Sequence, residues 1–105
     1  MASEFAFIPH YGSGQTISIA INGTGNTPID GTDQAICITN TGTQLFHLRT
    51  YSSLGATPTA SATDYPVPAT SQLIISKSET HDRLAYFNPS GTIVVAAHIM
   101  TGEGL

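Results

Sequence analysis

Short strand-like segments recur along the chain, and turn residues separate them. In the clearest one, Thr16 to Ile21, the isoleucines at 17, 19 and 21 alternate with polar or small residues. This is the period-two pattern of a strand with one buried face. Glycine, asparagine and proline then crowd residues 22–28, where they favour turns. No segment of the sequence has the apolar period of an amphipathic helix, so the pattern predicts an all-β protein.

Six further segments have the same character, which brings the expected number of strands to about seven. They comprise residues 5–8, 34–40, 45–51, 71–76, 84–87 and 92–100. Short strands in this number are typical of an antiparallel β-sandwich or a small jelly-roll-like barrel. A mass of 11.0 kDa fits one domain. We therefore expect a single-domain sandwich over residues 11–105, preceded by an N-terminal arm or edge strand over residues 1–10.

Three local patterns make this expectation more specific. The turn residues Asn40 to Thr43 predict a hairpin that joins segments 34–40 and 45–51. Residues 92–100 are apolar on both faces, which predicts a central strand covered from both sides. Residues 52–70 are mostly small or polar, and such a long stretch suggests either a crossover between two sheets or an exposed contact loop.

Alternation along each segment also assigns the side chains that should point inward. The expected core consists of Ile17, Ile19, Ile36, Ile38, Phe46, Leu48, Leu73, Ile75, Leu84, Tyr86, Ile93, Val95 and Ala97.

Charge is scarce in this sequence. Only three residues are Lys or Arg and seven are Asp or Glu, so charged residues make up 10% of the chain, against about 25% in typical soluble domains. A net charge of −4 with scattered cations argues against nucleic acid as a partner. The longest apolar run, residues 93–97, is too short for a membrane-spanning helix. The composition favours a surface of hydroxyls and amides that is shared with other subunits.

The residue types that carry chemistry are isolated from one another. Cys37 and the four histidines lie without the short spacings of a metal site, and we expect no metal and no cofactor. Cys37 lies within a strand pattern and is interpreted as a buried structural thiol. The sequence His81-Asp82-Arg83 is interpreted as a turn rather than a catalytic pair. We therefore expect no catalytic residues and no enzyme activity.

A protein interface is the function that the remaining residues favour, because aromatic and apolar anchors dominate interface energy. Arg83 is included as a possible partner for a carboxylate in a neighbouring molecule. The candidate interface residues are Phe5, Phe7, Ile8, Tyr51, Tyr65, Pro66 and Arg83. Tyrosines could instead stack on sugar rings, so a carbohydrate-binding module remains an alternative, although the chain has no Trp.

Three segments resemble small virion proteins of tailed bacteriophages, including capsid decoration (cement) proteins. They are Asp64 to Ser71, with its Asp-x-Pro-x-Pro pattern, Lys77 to Ala85, with a Thr-His turn, and the C-terminal Thr101 to Leu105, with Gly-Glu-Gly before an apolar residue. The resemblance covers roughly residues 34–105.

The resemblance implies a non-enzymatic β-sandwich that docks across subunits of the major capsid protein and stabilises the expanded head. It also implies a homo-oligomer, often a trimer, located on the capsid surface of a virion that assembles in the bacterial cytoplasm. The absence of a secretion signal at the N-terminus and the single cysteine agree with that compartment. Another head or tail accessory protein, or a module for host adhesion, are the alternatives.

Overall fold

In a computed structural model, which describes residues 8–9 and 16–103, the chain forms an all-β sandwich without helices in those residues. The strands are β1 (Ile8–Pro9), β2 (Thr16–Ile21), β3 (Thr24–Pro28), β4 (Ala35–Asn40), β5 (Phe46–Tyr51), β6 (Tyr65–Val67), β7 (Ser71–Ser76), β8 (Arg83–Phe87) and β9 (Val95–Glu103). The predicted fold class is confirmed. Of the predicted arm, only Ile8 and Pro9 belong to the described residues.

The strands form two antiparallel sheets. The first has the order β2-β9-β4-β7, and β1 pairs with the end of β9 on the same side as β2. The second has the order β3-β8-β5-β6. Apart from the β5–β6 step, every connection from β2 onward passes from one sheet to the other, which gives the order of a jelly roll.

The core lies between the two sheets, and alternation predicted most of it. Ile36, Ile38, Phe46 and Leu84 have no exposed surface. Every predicted core residue except one either belongs to this cluster or packs against it. The exception is Ile93, which is 44% exposed, because β9 begins only at Val95. Four core residues were not predicted: Ile21, Ile29, Val67 and Ile99.

The predicted hairpin between residues 34–40 and 45–51 is wrong. β4 pairs with β7 and β9, whereas β5 belongs to the other sheet. The buried side chain of Asn40 directs the crossing: its Nδ2 donates to the carbonyls of Gln44 (3.0 Å) and Val67 (3.3 Å), and its Oδ1 accepts from the amide of Gly42 (2.9 Å). These bonds replace the ladder that a hairpin would have made.

Two strands formed where glycine and proline predicted turns or loop. β3 and β6 are the edges of the second sheet. An edge strand has a neighbour on one side only, so it tolerates a proline, which has no backbone N–H to donate. Gly25 in β3 leaves room for the ring of Tyr86, since a Cβ atom there would lie 2.5 Å from the Tyr86 hydroxyl of the neighbouring strand. The segment 52–70 therefore contains a strand near its end.

β9 is an inner strand of the first sheet, as predicted, but only one of its faces is covered. Val95, Ala97 and Ile99 are buried, while Ala96 and His98 are exposed. A two-layer sandwich buries only the inner face of each sheet. The prediction that this strand is covered from both sides was wrong.

Candidate assembly interface

Several large apolar side chains lie on the surface of this sandwich. They are Ile8, Leu54, Tyr65, Ile74, Ile93 and Val94. Single exposed apolar residues are ordinary on soluble proteins, so their positions in the fold decide whether they form part of a contact surface.

Two of them, Ile8 and Leu54, lie at the same end of the sandwich, which we name the acidic end. It consists of β1, the last residues of β9, and the loops 29–34, 52–55 and 77–82. The strand registers bring these parts together, since Ile8 pairs with Glu103 and Tyr51 pairs with Arg83. Loop 29–34 joins it through the bond from the amide of Ile29 to the carbonyl of Asp82 (2.9 Å).

Leu54 projects from the acidic end on a well-fastened turn, residues 52–55, which we call the Leu54 turn. Its side chain is 97% exposed. Ser53 donates from its amide (2.8 Å) and its hydroxyl (2.7 Å) to the two carboxylate oxygens of Asp82. The amide of Gly55 donates to the carbonyl of Ser52 (3.2 Å). Because these bonds already order the backbone of the turn, little backbone freedom is lost when Leu54 enters a pocket on a partner.

The hydrogen bonds of the Leu54 turn also affect ionisation. The Ser53 hydroxyl, followed by the Ser53 amide, lowers the pKa of Asp82 below its usual value. Asp82 is therefore a fully charged carboxylate at neutral pH.

Negative charge dominates this end of the molecule. Its acidic residues are Asp30, Asp33, Glu79, Asp82 and Glu103, and its basic residues are Lys77 and Arg83. Five acidic residues against two basic ones leave a formal balance of −3 out of the whole chain's −4.

Lys77 does little to offset that charge at the surface, because it is turned inward. It is 8% exposed, and its Nζ donates to the carbonyls of Ser78 (3.2 Å) and His81 (2.9 Å). Burial lowers the pKa of Lys77, and the neighbouring Asp33 opposes that shift. Asp33 is also buried, at 3% exposure, so the surface charge of the acidic end comes from its other acidic residues. Among them, Asp82 lies beside Leu54 through its bonds with Ser53.

The segment that follows the Leu54 turn crosses the outer face of the second sheet and is tied to it. Asp64 forms an ion pair with Arg49 (2.8 Å) and accepts from the amide of Ser61 (2.9 Å). Ala60 is buried in a small cluster with Tyr51. The predicted crossover between two sheets is wrong for most of residues 52–70, because residues 52–64 join β5 to β6, which pair in the same sheet. Only residues 68–70 pass from one sheet to the other. The Leu54 turn is exposed, and its role as a contact loop stays a prediction.

The predicted interface residues are distributed over several parts of the molecule. Ile8 is 59% exposed at the acidic end. Tyr65 and Pro66 are exposed on β6, at the edge of the second sheet. Phe5 and Phe7 lie outside the described residues.

Tyr51 and Arg83 are engaged within the chain. Tyr51 is buried, and its hydroxyl accepts a hydrogen bond from Arg83 Nε (3.1 Å). A second guanidinium nitrogen donates to Asn26 Oδ1 (2.6 Å). These contacts hold β3, β5 and β8 together on the outer face of their sheet, so we do not include the two side chains in the candidate surface.

Leu54 was missing from the predicted interface, although a signal for it exists in the sequence. It is the one large aliphatic residue in the stretch from Ser52 to Thr63. A lone leucine among small and polar residues has no strand pattern to bury it. Ile74, by contrast, gives no such signal, because its neighbours Leu73 and Ile75 suggest a wholly buried segment.

Cys37 is only half-buried, on the outer side of β4, because its neighbours Ile36 and Ile38 occupy the core side. Partial burial raises the pKa of its thiol. Among residues 8–9 and 16–103, no group of three His, Cys, Asp or Glu side chains is arranged to hold a metal ion.

A polar cleft lies between β3 and the segment that crosses the second sheet. It holds about 270 Å³ and is lined by Thr24, Gly25, Asn26 and residues 57–60. Hydroxyl and amide groups dominate its lining. The aromatic ring that usually stacks on a sugar is not among these residues.

The part of the chain that the structure describes contains no helix of the length and apolarity needed to cross a membrane. Compared with protein-family models, with curated proteins and with solved structures, the chain shows no match.

Proposed function

We propose that the protein is a non-enzymatic structural component of a bacteriophage virion, a capsid decoration (cement) protein that docks across subunits of the major capsid protein. The resemblance of residues 34–105 to such proteins supports this proposal. The jelly-roll sandwich and its charge-poor composition suit a part that shares its surface with neighbours.

The acidic end is the observation that carries the proposal. It presents Leu54 and Ile8, both well exposed, from a turn and a strand that are fastened to the sandwich. An apolar anchor on a surface of predominantly one charge is a common arrangement of interfaces, in which the anchor supplies affinity and the charges orient the encounter. The complementary site on a capsid would be an apolar pocket with a basic rim.

Stabilisation of the head follows from preferential binding. Capsid expansion creates surfaces that span several subunits, and a protein that binds only the expanded shell shifts the equilibrium toward it by mass action. Binding at 100 times the dissociation constant contributes about 2.7 kcal/mol per site. Many occupied sites would then resist disruption of the shell.

Cosedimentation with capsids tests the proposal, using expanded and unexpanded shells of the phage that encodes the protein. We expect binding to expanded shells only. Leu54→Ser should weaken it about tenfold or more, since a buried leucine side chain contributes about 1.5–3 kcal/mol and a tenfold change is about 1.4 kcal/mol. Val94→Ser is the matched control, because Val94 is exposed at the opposite end.

Two further conditions refine the test. Deletion of residues 1–8 should weaken attachment if this segment adds a strand to the sheet edge of a neighbouring subunit, and unchanged occupancy would exclude that contact. Raising the salt concentration should weaken binding to a basic rim, because salt screens exposed charges. Equal binding to both kinds of shell, or to neither, contradicts the decoration role. Binding to tails instead would point to another accessory position in the virion.

The polar cleft beside β3 favours a second candidate function, which is carbohydrate binding for host adhesion. Its threonine and asparagine side chains offer the hydrogen-bonding groups that sugars use. A glycan array decides between the two functions. A specific glycan ligand whose binding is abolished by Asn26→Ala would favour adhesion, and no binding at high micromolar protein would remove it.

A further inference from the structure

The open edge of β7 lacks the features that usually protect an edge strand. Natural edges carry charges, prolines or bulges that prevent pairing with another chain. Both edges of the second sheet contain a proline, Pro28 in β3 and Pro66 in β6. β7, with the sequence Ser-Gln-Leu-Ile-Ile-Ser, has neither a proline nor a charged residue. The lysine that follows it, Lys77, is buried against its own loop.

The hydrogen-bond phase of β7 shows which backbone groups face outward. The amide of Lys77 donates to the carbonyl of Gln34 (2.9 Å), which continues the register in which Ser76 pairs with Ala35. In an antiparallel ladder, bonded and non-bonded pairs alternate. Residues 71, 73, 75 and 77 therefore point their N–H and C=O groups toward β4. Residues 72, 74 and 76 point theirs away, toward the open edge.

This edge is complementary to itself. If two copies of β7 pair antiparallel with Ile74 opposite its counterpart, Gln72 lies opposite Ser76, and Leu73 lies opposite Ile75. Ile74, Gln72 and Ser76 all present outward backbone groups, so each of these pairs is a hydrogen-bonded one. Residues opposite one another share a face, which brings outer-face Ile74 onto Ile74 and core-side Leu73 onto Ile75. No like charges meet.

Burial in the single chain is also incomplete at this strand. Ile74 is 43% exposed, and Leu73 and Ile75 are only half-buried although they face the core. Pairing with a second copy would cover all three. Tyr65 on the adjacent edge strand, β6, is 46% exposed on the same side of the sandwich, and it would lie close to the contact.

We propose that two copies of this chain pair through their β7 edges about a two-fold axis at Ile74. The β2-β9-β4-β7 sheets of the two copies then form one continuous sheet. A β-strand of the same chain is the occupant that the edge fits, because its register, its backbone phase and its side chains all match under the two-fold rotation. The contact is isologous and gives a dimer, whereas the resemblance to decoration proteins implies a trimer. The inference concerns the free protein and does not depend on capsid binding.

Solution mass measurement by sedimentation equilibrium on the full chain tests the dimer. The measured mass of the wild-type protein should be twice the 11.0 kDa mass of one chain at micromolar protein concentrations. Ile74→Lys should shift it to a single chain, because two lysines would face each other at the axis. Ala20→Lys is the matched control, since Ala20 is exposed on β2 at the opposite edge of the same sheet, and it should leave the dimer intact. Circular dichroism checks that both variants are folded.

A crosslink tests the register directly. Opposite residues of a hydrogen-bonded antiparallel pair have Cα atoms about 5.5 Å apart, within the range of a disulfide. Cys37 pairs with Ile74 inside the chain, so it is first replaced by Cys37→Ala. In that background Ile74→Cys should form a covalent dimer under mild oxidation, and Ser18→Cys on β2 should not.

Three results would overturn the proposal. A wild-type protein that remains a single chain, or a trimer that Ile74→Lys leaves intact, excludes pairing through β7. Equal crosslinking at positions 74 and 18 excludes the register. Because none of these readouts involves capsids, a failure here is distinct from a failure of cosedimentation.

Discussion

A buried asparagine, Asn88, offers the sharpest test of how this fold is held together. It is 2% exposed and lies just after β8. Its Nδ2 donates to the carbonyls of Ile21 (3.0 Å) and Ile93 (2.7 Å), and its Oδ1 accepts from the amide of Ser90 (2.9 Å). The side chain therefore joins the end of β2 to the loop that leads into β9.

Replacing Asn88 by alanine removes all three bonds and leaves their backbone partners behind. A buried group that loses its partner costs about 1–3 kcal/mol, and a typical hydrogen bond contributes about 0.5–1.5 kcal/mol. The bond to Ile21 is buried, while the other two are partly open to water. We therefore expect Asn88→Ala to lower the free energy of unfolding by about 2–4 kcal/mol, a large part of the 5–15 kcal/mol typical of domains.

Urea unfolding followed by circular dichroism measures this loss. Asn22→Ala is the matched control, because Asn22 is exposed near the same end of the sandwich, and its replacement should change the free energy of unfolding by less than about 0.5 kcal/mol. If Asn88→Ala changes stability no more than the control, the bridging role of this side chain is refuted.

Asn88→Asp separates the donor bonds from the acceptor bond. An aspartate still accepts from the amide of Ser90, but its charge faces the carbonyl oxygens of Ile21 and Ile93. This repulsion raises the pKa of the new carboxyl group in the folded protein. The variant should therefore lose stability as pH rises above about 3.9, the pKa of an aspartate in the unfolded chain. A pH-independent loss would contradict the assigned geometry.

Other predictions concern the acidic end and the packing of β3. The pKa of Asp82 is lowered by hydrogen bonds from Ser53. The stability that its carboxylate contributes is therefore present above about pH 3.9, the pKa of an aspartate in the unfolded chain. It is lost as pH falls through the lower pKa of Asp82 in the folded protein. Asp82→Asn should therefore flatten the acid limb of a stability–pH profile, and an unchanged limb would contradict this. Gly25→Ala should destabilise by about 1–3 kcal/mol through its clash with Tyr86. Gly91→Ala, which meets open space, should change stability by less than about 0.5 kcal/mol, and equal effects would refute the packing argument.

Alternation of apolar residues was enough to predict the fold class, since each inner strand buries one face. Residues 16–21 became β2 without any change of boundary. The edge strands were missed for a physical reason. Gly25 and Pro28 in β3 and Pro66 in β6 break local strand propensity, but an edge strand needs hydrogen bonds on one side only, and Tyr86 fills the space over Gly25.

Strand pairing depended on contacts that no local pattern contains. Residues 40–43 have the composition of a hairpin turn, yet Asn40 bonds to Val67, which is distant in sequence. That bond joins a strand of the first sheet to a strand of the second. Local turn propensity therefore predicted the wrong partner for β5.

The candidate interface was only partly visible in the sequence for the same reason. Ile8 was predicted from its place in an apolar N-terminal segment. Leu54 and Asp82 come from separate loops, and only the pairing of β5 with β8 brings them together. The concentration of negative charge around them is likewise a product of topology, because its members are spread from residue 30 to residue 103.

Hydrogen–deuterium exchange on capsids decorated with the protein shows which end of the sandwich meets the capsid. We expect attachment to protect the amides of residues 52–55 and 77–82, relative to the free protein, while residues 88–94 at the opposite end exchange as before. Protection confined to residues 88–94, or no attachment to expanded capsids at all, would contradict the assignment of the acidic end as the surface that meets the capsid.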